Sequence, residues 1–449
     1  MTSASAIRWV WMKTRFWFAL CVALATAMLY AEGVLKDGWI EVAMLAPVVW
    51  FLVSPRPPEL FKNLLLSLMV LCLTAITIDL VLRPLLERRL NYTPLNAYTR
   101  TLPKLPIVGR WDPNLSLVDN LYGDLAARAG DEALREPRQI VFHTDDAGFR
   151  NSRVPEQIDL LVLGDSFGAG WGTTQNKIFA SLLQEKYGVR TYNLSYPGGP
   201  YDQYVNFTIE WSRLSFVPQP KLVWTFFTGN DFDDPGGEVW DVAALPWNSR
   251  IGELLVKYRT FRNRSPLNRM MEGMRHQWHG DSGVVLRTLP DGRPVLFLAG
   301  YEAWAAKSRE EVEHHPNFSK LERTLKAMVT LTKERHIDVT ILLLPTKGEV
   351  YRWIWNERAP RLEDAESSGF ARAILGLCER VQLRCLDTKP FLVAEARRLF
   401  DSSGELLWWR DDSHLGERGH EAVAAFISQH VLNSRSNSLP TTHAGDTHR

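Results

Sequence analysis

The sequence predicts an α/β protein, a three-layer α/β/α sandwich on a parallel sheet, preceded by transmembrane helices. Three observations carry this. From Ile158 onward, short and mostly apolar runs alternate with segments of helical period, the mark of parallel strands covered on both faces. Polar turns rich in Gly, Asn, Asp and Ser directly follow several of these runs, at the strand ends where open α/β sheets place their ligands. Residues 1–90 are different in kind, dominated by long apolar stretches.

Three such stretches stand near the N-terminus. Phe16 to Tyr30 carries no charge and, with Trp9 to Trp11 upstream, approaches the ~20 residues needed to cross a bilayer. Trp39 to Val53 is shorter and carries Glu41, whereas Leu64 to Leu82 is long enough with Asp79 near its end. Small residues placed as at a signal-peptidase site are not evident, so two or three retained helices are expected rather than a cleaved leader. Arg8, Lys13 and Arg15 before the first stretch favour a cytoplasmic N-terminus, and Arg56 and Lys62 favour a cytoplasmic middle loop. Three crossings then place the C-terminal region outside the cytoplasm, in the periplasmic or extracytoplasmic space of a bacterial-type inner membrane. Arg83, Arg88 and Arg89 oppose that orientation, and it reverses if Trp39 to Val53 does not cross.

Residues 91–157 read as a lead-in or linker, punctuated by Pro94, Pro103, Pro106 and Pro113. A short helix is expected within Asp119 to Leu134 and a strand at Gln139 to His143. The main domain spans 158–433. Its strands are expected at Ile158 to Leu163, Thr191 to Leu194, Leu222 to Phe227, Val339 to Leu344 and Leu383 to Leu386. Its helices are expected at Ile178 to Tyr187, Tyr201 to Leu214, Leu321 to Arg335, Phe370 to Val381 and Glu417 to Val431. Right-handed crossovers then give the sandwich. A stretch at about 232–316, with many Arg, Trp, Gly and Pro residues and no clean period, reads as an insertion over the carboxyl edge of the sheet. The Ser-, Thr- and His-rich tail 434–449 is expected to be disordered.

Four blocks at strand ends carry the chemistry. They are Gly164-Asp165-Ser166, Asn193 to Pro200, Thr228-Gly229-Asn230-Asp231, and Asp411-Asp412-Ser413-His414. Acyl transfer needs a nucleophile, a base, a carboxylate behind the base and donors for an oxyanion. Ser166 is the candidate nucleophile and His414 the base. The oxyanion donors are the backbone N–H groups of Ser166 and Gly198 and the side-chain amide of Asn230.

In order and spacing these blocks resemble the SGNH/GDSL hydrolase superfamily, over roughly Ile158 to Val431 apart from the insertion. Asp146-Ala147-Gly148-Phe149-Arg150-Asn151 is similar to a segment preceding the nucleophile block in membrane-anchored members. The resemblance implies serine esterase, lipase-like or carbohydrate acyl-ester chemistry without a metal or organic cofactor. Two departures matter. Phe167 stands where leucine is usual, and the acid has two candidates. The common spacing, three residues before the histidine, selects Asp411, which is favoured; the spacing of two used by some cell-envelope members selects Asp412.

Other features have plainer readings. Asp165 is expected to brace its turn. Asp231, Asp233 and Asp234 resemble a calcium cluster but lack the ligand spacing of a calcium loop. His314, His315 and His420 read as loop or packing residues. Trp408 and Trp409 either fill the core or stack on a sugar, and Trp240, Trp247, Trp278 and Trp304 pose the same question. Cys21 and Cys72 fall in apolar stretches, whereas Cys378 and Cys385 are either bonded or two buried thiols. A net charge of +1 gives no argument for a nucleic-acid partner. The expectation is a membrane-anchored serine esterase or O-acyltransferase acting on acyl esters, with O-acetyl groups of an envelope or exported polysaccharide as the natural target. The alternatives are a glycan-binding or assembly component of an envelope complex, and a lipase acting on membrane lipid.

Overall fold

The computed structural model describes residues 105–233 and 283–433, the backbone of Thr99–Leu102 and three helical positions at Val70, Thr74 and Thr77. The chain divides into two compact units, Met1–Pro84 and Leu85–Arg449. The apolar N-terminal stretches, Cys21, Cys72, Asp234, the three tryptophans from 240 to 278 and the tail lie outside the described residues, those three positions aside. Among the described residues, no helix is long and apolar enough to cross a membrane.

The strands are β1 (Thr99–Leu102), β2 (Leu105–Trp111), β3 (Ser116–Leu121), β4 (Arg138–His143), β5 (Ile158–Leu163), β6 (Thr191–Asn193), β7 (Phe216–Phe227), β8 (Val284–Thr288), β9 (Pro294–Leu298), β10 (Asp338–Leu344) and β11 (Arg384–Asp387). The α-helices are α1 (Asp124–Ala129), α2 (Ser166–Ala169), α3 (Phe179–Glu185), α4 (Pro200–Glu210), α5 (Ala299–Ala305), α6 (Arg309–Glu313), α7 (Pro316–Glu334), α8 (Lys347–Val350), α9 (Arg352–Trp355), α10 (Gly369–Val381), α11 (Lys389–Ser403) and α12 (Glu417–Ile427).

Five strands form one sheet in the order β11-β10-β7-β5-β6, and every neighbouring pair is parallel. Alternation along each strand divides the apolar residues between two cores. Leu160, Val162, Val223 and Leu342 pack on one face with Leu183, Leu392 and Val423, from α3, α11 and α12. Leu161, Leu163, Trp224 and Leu343 pack on the other with Phe207, Leu325 and Leu377, from α4, α7 and α10. Both faces are therefore covered, which is why these strands read as unbroken apolar runs.

Local chemistry sets several boundaries. His315 caps α7 through Nδ1 and Pro316 follows at its first position, where a missing N–H costs nothing. That helix accordingly starts five residues before the expected Leu321. Ser308 and Glu311 form a capping box on α6, and Ser368 caps α10. Helix α11 was not among the expected helices, although Pro390 opens it and Leu392, Val393, Ala396 and Leu399 form its buried stripe.

The stretch read as an insertion is partly regular, with β8 and β9 pairing as an antiparallel hairpin from Val284↔Leu298 to Thr288↔Pro294. The lead-in also carries structure. Strands β3 and β4 pair antiparallel, and Trp111, Leu121, Ile140 and Phe142 share a small core with Ala169 and Trp171 beside the nucleophile turn.

Cys378 and Cys385 form a disulfide between the end of α10 and β11. Its sequence separation of 7 closes a short loop, for which the chain-entropy argument gives about 2–3 kcal/mol. Cys385→Ser is expected to lower the melting temperature by about 3–4 °C. A reductant lowers the wild-type value by a similar amount and leaves the variant unchanged; thermal unfolding with and without dithiothreitol checks this.

Candidate active site

Strand β5 ends at Leu163 and the chain turns sharply into α2. Asp165 occupies the N-cap and accepts from Phe167 N at 2.9 Å, so this aspartate braces the turn. Gly164 is required by space, since a Cβ there would lie 1.9 Å from Thr225 Oγ1 on the adjacent strand. Ser166 follows as the first residue of α2, half-exposed between buried neighbours.

Ser166 Oγ lies 2.9 Å from His414 Nε2, and His414 Nδ1 lies 2.8 Å from Asp412 Oδ1. Asp412 also accepts from the His414 backbone N–H at 3.1 Å, which fixes ring and main chain together. Its other oxygen takes Arg138 from β4. Phe167 holds the imidazole from the side, with ring centroids 5.0 Å apart, and stacks on Phe227 at the end of β7.

The favoured acid, Asp411, is not the partner of His414. Its carboxylate accepts from Gly123 N at 2.6 Å, Glu136 N at 2.8 Å and Arg138 Nη1 at 2.9 Å. Its backbone oxygen receives Leu125 N and Ala126 N at the start of α1. Asp411 thus ties the lead-in to the histidine loop, and Asp412 faces the imidazole. The spacing rule failed because the lead-in supplies three N–H donors, which claim the first aspartate. Gly123 makes this possible, since a Cβ there would sit 1.8 Å from Asp411 O.

Gly198 and Asn230 leave the carboxyl ends of β6 and β7, the two neighbours of β5. Asn230 is half-buried between the buried Gly229 and Asp231, and Gly198 lies in a half-buried run from Tyr196 to Gly199. Gly198 O receives Gln203 Nε2 at 2.8 Å, and Asn230 carries a buried side-chain oxygen without a partner. Asp231 and Asp233 each take a separate partner. Asp231 turns inward to accept from Phe227 N at 2.8 Å, and Asp233 accepts from Trp304 Nε1 at 2.6 Å.

Several residues of the site carried no motif. Arg138 bridges Asp411 and Asp412 and lies 4.4 Å over the Trp409 ring. Trp409 therefore has one face occupied, and Trp408 is buried in the core. Lys347, in α8 after β10, is buried and donates to four backbone oxygens. They belong to Leu296 and Trp409 at 2.7 Å each, and Arg410 and Asp412 at 3.1 Å each. Arg150 is buried behind the nucleophile turn, donating to Ala169 O, Gly170 O, Thr173 O and Gln175 Oε1. This cation is spent on three backbone oxygens and the Gln175 side chain, and burial lowers its pKa to about 9.

The electrostatics suit a base. Burial pulls His414 down, but the Asp412 hydrogen bond and the charges of Asp412, Asp124 and Asp165 outweigh it and raise it above 6.5. Burial opposes ionisation of Asp412, yet His414 and Arg138 hold it well below the ordinary carboxylate value. His420 is different: burial lowers it to about 3, and its Nδ1 accepts from Phe179 N at 3.3 Å, so it packs as a neutral ring. Donor atoms of Asp124, Asp412 and His414 lie within 4.8 Å of one another, a spacing that also suits a cation. Ser413, His414 and Arg138 already occupy the two carboxyl groups, so the cluster reads as a hydrogen-bond network.

In its four strand-end blocks the chain resembles the SGNH/GDSL hydrolases. Two solved structures are similar to it. One is a protein described as lipolytic and of the G-D-S-L family, from Desulfitobacterium hafniense DCB-2, at 13% identity over 60% of this chain and 97% of that chain, with a TM-score of 0.29. The other is an acetyl xylan esterase, at 15% identity over 61% of this chain and 100% of that chain, with a TM-score of 0.32. The superpositions are loose at these scores, and the resemblance rests on the four sequence blocks. No protein-family model and no curated protein matches the sequence.

Proposed function

We propose that the chain is a serine ester hydrolase or O-acyltransferase of the SGNH type, with Ser166, His414 and Asp412 as its catalytic groups. The observation that carries this reading is the unbroken chain of contacts from Ser166 Oγ through both imidazole nitrogens to Asp412. Ser166 Oγ attacks the ester carbonyl carbon as its proton passes to His414 Nε2. The backbone N–H groups of Ser166 and Gly198 and the Asn230 amide stabilise the oxyanion. Collapse breaks the bond to the alcohol oxygen, which takes the proton from His414 and leaves an acyl-serine. Water, or a second hydroxyl, then gives its proton to His414 and attacks, releasing an acid or a new ester and restoring Ser166.

The substrate class is an acyl ester, in the first place an acetyl ester of an envelope or exported polysaccharide, reached by an extracytoplasmic domain anchored through the N-terminal apolar stretches. The Cys378–Cys385 disulfide supports that compartment, since such bonds persist where the surroundings are oxidising.

A serine-directed fluorophosphonate, followed by peptide mapping, tests the catalytic reading. Label is expected on Ser166 and is absent in Ser166→Ala and in His414→Ala. Hydrolysis of p-nitrophenyl acetate is expected to fall at least 10³-fold in Ser166→Ala. Equal rates for wild type and variant overturn the assignment. In a chain-length series, activity confined to long acyl chains overturns the acetyl-ester reading in favour of a lipase.

A further inference from the structure

We propose that Asp124, from the lead-in segment, is a positioning residue of this site, acting on His414 through Ser413 and the Asp412 carboxyl group. The inference rests on the catalytic reading for its meaning, and its NMR test does not. Asp124 is the first residue of α1, and Asp411 fixes its place by accepting from Gly123 N and, through its backbone oxygen, from Leu125 N and Ala126 N. From there Asp124 Oδ1 accepts from Ser413 N at 2.8 Å and Oδ2 from Ser413 Oγ at 2.7 Å. Ser413 Oγ in turn stands 3.4 Å from His414 Nδ1. The residue between the two proposed catalytic groups of this loop is thereby held at both its backbone and its side chain by one buried carboxyl.

Asp124 and Asp412 are also in direct contact, and two adjacent carboxyl groups do not both ionise freely. Asp412 has the imidazole and the Arg138 guanidinium on its two oxygens, whereas Asp124 receives the neutral donors of Ser413 on both of its own. The shared proton therefore belongs to Asp124. Burial and the Asp412 charge raise Asp124 to about 6. The other charged and titratable groups around the pair and the imidazole are Asp411 beside them, Asp165 from the nucleophile turn, Arg138 from β4, Lys347 from α8 and His420 from α12. As pH rises through about 6, Asp124 becomes an anion beside His414. An added anion stabilises the imidazolium, so it moves the histidine's deprotonation upward.

NMR titration of the His414 ring in the folded full chain tests this without turnover. In the wild type, the ring signal is expected to follow two steps, one of them near pH 6 from Asp124. Asp124→Asn keeps a similar shape, removes the charge and offers an N–H to Asp412. It is expected to show one step, displaced downward by about one pH unit. The acid limb of kcat/KM for p-nitrophenyl acetate moves the same way. A residue that merely holds the loop lowers kcat without moving either midpoint. A single-step wild-type titration, or an unchanged His414 midpoint in Asp124→Asn, overturns the proposal. Failure of Ser166→Ala to lower turnover sinks the catalytic reading instead and leaves this titration standing.

Discussion

Asp412→Asn is expected to lower kcat against p-nitrophenyl acetate about 10⁴-fold in a protein that still folds. The asparagine amide fits where the carboxylate stood but presents either a donor or a weaker acceptor to His414 Nδ1. With a donor there, the imidazole carries its proton on Nε2, 2.9 Å from Ser166 Oγ, and cannot accept the serine proton. Asp411→Asn is expected to keep kcat within about tenfold and to lose about 1–3 kcal/mol of stability, because its oxygens satisfy Gly123 N, Glu136 N and Arg138. Steady-state kinetics and urea unfolding on both variants separate the roles. The reverse pattern, with Asp411→Asn inactive and Asp412→Asn active, would return the acid to the position favoured by the family spacing. The pH dependence has a definite sign. His414 is raised above 6.5, so the neutral base and kcat/KM grow with pH through a limb above that value. Asp412 is depressed in the fold, so its contribution to stability is complete above about pH 4 and is lost as pH falls toward its folded value.

The legible part of this protein is the part where chemistry and period coincide. Strand β5 and Ser166 were readable together because an apolar run stops at a Gly-Asp-Ser turn, and both faces of that run are buried. The histidine block was readable for its residue types. What decides between its two aspartates lies about 270 residues earlier in the chain, in Arg138, Glu136 and Gly123. Each is an ordinary residue in a segment that reads as a linker. Proline punctuation disfavoured long helices there, and of the two antiparallel strand pairs only β4 was expected. Asp124 was unreadable for the same reason: a lone aspartate after Gly123 becomes part of the site only once Asp411 anchors the start of α1. Lys347 gave no signal at all, since its partners are carbonyl oxygens, which every residue possesses.

Lys347→Met is expected to cost about 4 kcal/mol and to lower the melting temperature by about 5 °C, the largest stability loss foreseen for a change that alters no proposed catalytic residue. The methionine fills a similar volume but donates nothing to the oxygens of Leu296, Trp409, Arg410 and Asp412. Each buried oxygen left without a donor costs about 1–3 kcal/mol before relaxation, and partial collapse or entering water recovers some of that. Three of the four oxygens belong to the loop that ends in His414, and the fourth belongs to β9. The ammonium therefore ties that loop to β9, and it does so from α8, which follows a central strand of the sheet. Loss of that tie is expected to lower kcat about 10²-fold through misplacement of Asp412, while the KM for p-nitrophenyl acetate changes less. Thermal unfolding and single-turnover acylation measure the two effects separately. An unaltered melting temperature would show that the four carbonyls find other partners, and that the loop is held by Asp411 and Arg138 alone.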